Sequence, residues 1–162
     1  MIDTRALTAE STLVLLAEAM ESMTFVSPFP ADGAPTFSAS ATPLLRCTIG
    51  FGGGGTDGAL TMVLPLALAT VFAVNLLDVD PDADDAAARA ADCAAEIMNV
   101  MCGRLLASLP PAALAGIEMR LPTCTPIPPD AADAEVAPPP GAYVLDGDGH
   151  LFWIAVTGLA QG

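Results

Sequence analysis

The sequence predicts one mixed α/β domain in which a mixed or antiparallel sheet packs against a long helix and two further helices. Three observations carry this. The chain has 162 residues, room for one core of ordinary domain size and not for two. Apolar periodicity follows the order helix, two strands, two helices, three strands. Glycine-rich turns join two pairs of those strands, as antiparallel hairpins require.

Taken in order, Thr8 can cap a helix from about Ala9 to Met23, with Leu13, Leu16, Ala17, Met20 and Met23 or Thr24 as its inner stripe. Ser27 to Pro43 holds four of the 15 prolines and reads as a loop or irregular edge. Leu44 to Phe51 and Ala59 to Leu64 are the strands of a hairpin. Pro65 suits the first turn of a helix that continues to Leu77. Asp80 can cap the next helix, with Pro81 at its first position and Asp82, Asp84 and Asp85 meeting the positive end of its dipole. That helix, the longest in the chain, ends before Pro110. Gly116 to Thr125 is a strand whose internal Pro122 implies an edge or a bend. Asp130 to Pro140 is a loop, and strands Ala142 to Leu145 and His150 to Thr157 flank the turn Asp146-Gly-Asp-Gly.

Composition excludes several functions. Arginine and lysine together number 5 against 19 acidic residues, a formal charge of −14. Such a surface repels phosphate backbones and anionic membranes alike, so no nucleic acid is expected as a partner. Ala59 to Leu77 is uncharged, but Pro65 and Asn75 interrupt it and its flanks are acidic (Asp57, Asp78, Asp80, Asp82), so no membrane span is expected. The start, Met1-Ile-Asp-Thr-Arg-Ala, lacks a secretory leader pattern, which points to the cytoplasm. Cys47, Cys93, Cys102 and Cys124 are widely spaced, form no CxxC pair, and are expected as reduced, buried thiols.

Three local patterns have plain explanations. Gly50-Phe-Gly-Gly-Gly-Gly55 matches GxGxxG, but a strand follows it where phosphate binding needs a helix, so it reads as a hairpin tip. Asp78, Asp80 and Asp82 begin like a calcium loop, yet Ala83 and Arg89 stand where glycine and glutamate belong. His150, the sole histidine, has no recognisable nucleophile partner and no zinc-ligand pattern around it.

One pattern stands apart. On the longest helix Ala90, Ala94, Ile97, Met101, Leu105 and Ser108 share one face, while Asp92, Glu96, Asn99 and Gly103 share nearly the opposite one. Glu96 and Asn99 are then neighbours one turn apart, and Gly103 leaves a flat spot where another molecule's backbone can approach. On spacing alone, an ordinary solvated face is the plainer account.

Asp92-Cys-Ala-Ala-Glu96-Ile-Met-Asn99-Val-Met-Cys-Gly103 resembles the signature helix of the CheC/CheX/FliY chemotaxis phosphatases. Gly58-Ala-Leu-Thr-Met-Val-Leu-Pro65 is similar to that family's strand leading into its second helix, and Gly116-Ile-Glu-Met-Arg-Leu-Pro122-Thr123 to the strand after the signature helix. The first helix offers Glu18-Ala-Met-Glu21, with glutamate where a second motif would carry asparagine, and a carboxylate cannot donate as an amide does. A single motif is the CheX-like arrangement; Ala95 before Glu96 is a small departure from it.

The resemblance implies a CheC-like fold over residues 1–162 and hydrolysis of the aspartyl phosphate of a CheY-type response regulator. Asn99 would position the attacking water and Glu96 would pair with the regulator's lysine, with Asp92 and Gly103 at the partner surface. It implies no cofactor of its own, magnesium being expected in the regulator, and a homodimer, for which the apolar excess and the Gly116 to Thr125 edge are available. The alternative is a non-catalytic module that docks on a phosphorylated regulator or a flagellar switch component through the same helix.

Overall fold

The computed structural model describes residues 7–159; the leader reading of Met1 to Ala6 lies outside them. Helix α1 (Ala9–Thr24) is capped as expected, the Thr8 hydroxyl accepting from the Ser11 amide and the Ser11 hydroxyl accepting from the Thr8 amide. Its buried stripe is Thr12, Leu16, Ala19, Met20 and Thr24, rotated from the expected one, so that Leu13, Ala17 and Met23 are only half-buried.

Among the described residues seven strands join one sheet, and every pairing is antiparallel. They are β1 (Phe29–Pro30), β2 (Leu44–Gly53), β3 (Thr56–Pro65), β4 (Glu118–Met119), β5 (Thr123–Pro126), β6 (Tyr143–Gly147) and β7 (His150–Thr157). Their order is β1-β6-β7-β3-β2, and both β4 and β5 pair with the outer edge of β2. The glycine run is a hairpin tip, as the sequence implies. Gly53 pairs with Thr56, leaving Gly54 and Gly55 as a two-residue turn with φ of 58° and 87°, a conformation that suits residues without a Cβ.

Alternation along the strands divides the apolar residues between two faces. Leu45, Cys47, Ile49 and Phe51 of β2, with Leu60, Met62 and Leu64 of β3, pack beneath the helices α1, α2 (Leu66–Leu77) and α3 (Ala86–Ala107). On the other face Leu44, Val63, Trp153 and Ala155 meet Phe37, Ala39 and Val136. Val136 belongs to the short helix α5 (Asp133–Val136), which forms inside the segment expected to be a loop; the Trp153 indole N–H donates to the Val136 carbonyl at 2.9 Å. That buried bond and the apolar neighbours around Val136 supply the order that local sequence does not.

The start of α3 also differs. Asp80 accepts from the Asp82 amide, but tight turns follow (Ala83 to Asp80, Ala86 to Ala83) and the helix begins at Ala86 rather than Pro81. Aspartate is a poor helix former and Asp82, Asp84 and Asp85 repel one another, so the segment closes as separate turns. A four-residue helix, α4 (Pro111–Leu114), then leads to β4.

The expected Gly116 to Thr125 strand is split. Phe51 pairs with Met119 and Thr48 with Thr123, so Ile49 and Gly50 face three residues, Arg120, Leu121 and Pro122. This is a β-bulge on an edge, where a proline without an N–H is tolerated.

The pairing also overturns one expectation. Cys47 and Cys124 lie directly opposite in the β2–β5 register, with Cα atoms 4.0 Å apart, and form a disulfide. Wide sequence spacing had suggested free thiols; antiparallel pairing erases that separation. Cys93 and Cys102 are free and buried. Among the described residues no helix is long and apolar enough to cross a membrane.

Candidate functional site

Helix α3 places Asp92, Glu96, Asn99 and Gly103 on the side away from Ala90, Ala94, Ile97, Met101 and Leu105, all of which are buried. The expected division into core and outward faces holds. Ser108 is the exception to the inner stripe: it is the half-buried C-cap, its hydroxyl donating to the Leu105 carbonyl.

The four outward residues are not equivalent. Asp92 and Glu96 are exposed, whereas Asn99 and Gly103 are half-buried, so Asn99 is less open than the largely solvent-exposed face expected of it. The cause is β4. A Cβ on Gly103 would meet the Met119 Sδ at 3.9 Å. The flat spot that Gly103 makes is therefore roofed in part by this chain's own methionine, itself 41% exposed. On the opposite flank, α1 is tied to α3 by the Arg104 guanidinium, which donates to the Ser22 hydroxyl at 2.9 Å. Glu96 and Asn99 thus occupy a ridge between α1 and the sheet edge.

Among the described residues neither Glu96 nor Asn99 has a hydrogen-bond or ion-pair partner within the chain. A carboxylate acceptor and an amide carrying both donor and acceptor are held one turn apart by backbone alone, open to an outside partner. Burial holds the Cys93 thiol above its ordinary range, and the Glu96 charge pushes it the same way; burial pushes Cys102 to about 11. Both thiols stay protonated and inert near neutrality.

On the first helix Glu18 and Glu21 are also exposed, but Glu21 accepts from the Ser27 hydroxyl at 2.6 Å at the end of α1. Among the described residues no group of three His, Cys, Asp or Glu side chains is placed to hold a metal. A cavity of about 590 Å³, walled by Leu44, Leu66, Ala91 and Ile127, opens beside the first turns of α3; Glu96, Asn99 and Gly103 do not line it. The disulfide, the bulge and the Met119 roof had no signal in sequence beyond the position of Pro122.

No family model and no curated protein matches this chain. Solved structures do. A chain of the CheX–CheY complex with beryllofluoride and magnesium from Borrelia burgdorferi superposes with a TM-score of 0.64 at 15% identity, covering 96% of this chain and 97% of that one. CheX from Vibrio vulnificus gives 0.58 at 16%, covering 90% and 91%. Thermotoga maritima FliY gives 0.56 at 14%, covering 91% and 84%. The chain has the fold shared by CheX, CheC-like and FliY proteins.

Proposed function

We propose that this chain is a CheX-like phosphatase that hydrolyses the aspartyl phosphate of a CheY-type response regulator in the cytoplasm. The observation that carries the reading is the pair Glu96 and Asn99, without side-chain partners among the described residues and one turn apart on the long helix of a CheX-like fold. In the reaction a water oxygen bonds to phosphorus as the bond to the aspartyl oxygen breaks, releasing phosphate and a free carboxylate. Such a transfer needs an in-line water and charge neutralisation more than covalent help. The Asn99 amide holds the water in line, a positioning effect. Glu96 forms a charge-assisted bond with the regulator's lysine, setting the angle at which α3 enters. Magnesium belongs to the regulator's site, and this chain supplies no cofactor. Asp92 and Gly103 border the contact.

The test is the rate of loss of acid-labile phosphate from a purified CheY-type regulator with and without the protein. Acceleration abolished in Asn99→Ala supports the reading. Binding without acceleration assigns the alternative, a non-catalytic docking module for a regulator or switch component. The homodimer is likewise a proposal from the resemblance, checked by light scattering at micromolar concentration; a single-chain mass refutes it.

A further inference from the structure

Leu121 is the most exposed large apolar side chain among the described residues, at 89%. It sits in the bulge between β4 and β5, at a sheet edge where natural proteins usually place charge or proline to discourage contact. Its frame is held on both sides. Before it, the Arg120 amide donates to the Gly50 carbonyl at 2.8 Å and the Arg120 guanidinium reaches Asp57 at 2.6 Å. After it come Pro122, the β5 ladder and the Cys47–Cys124 disulfide. A leucine presented on a braced backbone loses little conformational freedom when covered, as an anchor residue requires.

Its position along α3 follows from two contacts. Gly103 faces Met119, while Ala87, Ala88 and Ala91 share a cavity with Pro126 and Ile127, so β4 and β5 run antiparallel to α3. From Gly103 back to Asn99 is about 6 Å of helix; from Met119 on to Leu121 is about 6–7 Å of extended chain. Leu121 therefore stands level with Asn99, at the edge flanking the candidate site. The bulge and Pro122 interrupt the ladder there, which disfavours the added strand of a second copy and leaves side-chain docking.

We propose that Leu121, with Met119, is an apolar anchor that seats the regulator receiving Glu96 and Asn99, a contact beside the polar pair that strengthens binding without touching the chemistry. It rests on the function proposed above and adds a second, salt-insensitive part to that recognition.

The experiment measures binding of a CheY-type regulator, carrying beryllofluoride and magnesium, to wild type, Leu121→Ser, Leu121→Met and Asn99→Ala, at low and high salt, alongside turnover at saturating phosphorylated regulator. Leu121→Ser should raise Kd roughly fivefold or more, as loss of an anchor does, equally at both salts and with saturated turnover unchanged. Leu121→Met should bind nearly as wild type. An unchanged Kd in Leu121→Ser, with turnover lost in Asn99→Ala, overturns the anchor and leaves the phosphatase reading standing. Loss of affinity that tracks loss of a dimer mass overturns it too, since the leucine then joins copies of this chain. A wild-type protein that neither binds nor dephosphorylates the regulator removes both proposals.

Discussion

The Met119 thioether lies over Gly103, 3.9 Å from the point where a Cβ on that glycine would project. This is ordinary van der Waals distance, so the helix tolerates alanine there, and glycine carries its conformational cost without a steric need inside the chain. Gly103→Ala should raise stability by about 0.5–1 kcal/mol, the helix-propensity difference. A denaturant midpoint that moves down instead would show that the methionine cannot yield even this much.

Among the described residues the Glu96 and Asn99 side chains have no hydrogen-bond or ion-pair partner, so alanine at either should change stability by less than about 0.5 kcal/mol. Their effects on function should separate. Asn99→Ala removes the water-positioning amide while leaving the lysine partner, so regulator binding should persist and turnover fall. Glu96→Ala removes a charge pair, so affinity and turnover should fall together, and the wild-type advantage should shrink as salt rises. Activity loss accompanied by unfolding would return this helix face to a structural role.

Thiol counting checks the strand register. After denaturation without reductant two thiols should titrate, those of Cys93 and Cys102, and four after reduction. Cys47→Ala should destabilise by about 2–4 kcal/mol, because the bridge closes a long loop in the unfolded chain. Four thiols without reductant would show the pair open in solution.

Alkaline pH should weaken the fold. The Cys102 thiol is raised from 9.0 to about 11, and Cys93 is raised in the same direction. Above pH 9 the unfolded chain gives up these protons while the folded chain keeps them, so the unfolded state binds fewer protons and stability falls as pH rises. The contribution is intact below pH 9 and lost through about 11. Urea midpoints across that range, in wild type and Cys102→Ala, measure it; an equal decline in both would assign the loss elsewhere.

The candidate pair was legible because helical periodicity is local: 3.6 residues per turn sets Glu96 beside Asn99 and opposite Ile97, whatever lies around the helix. Hairpins were legible for a similar reason, since Gly54-Gly55 and Asp148-Gly149 sit where the backbone needs positive φ. The first helix shows the limit. Its span was readable from Thr8 onward, but which side met the core depended on α3, and the buried stripe settled on Thr12 and Ala19.

By itself, then, the sequence determined the three long helices, the two hairpins and the outward face carrying Glu96 and Asn99, because each follows from short-range backbone geometry and apolar spacing. Only the tertiary structure decided that Cys47 meets Cys124, that Leu121 is thrust out as the extra residue of a bulge, and that Met119 partly covers Gly103. Those three depend on how β4 and β5 register against β2 and lie along α3. Register joins residues far apart in the chain, and one extra residue in it changes which side chains face the core and which face a partner.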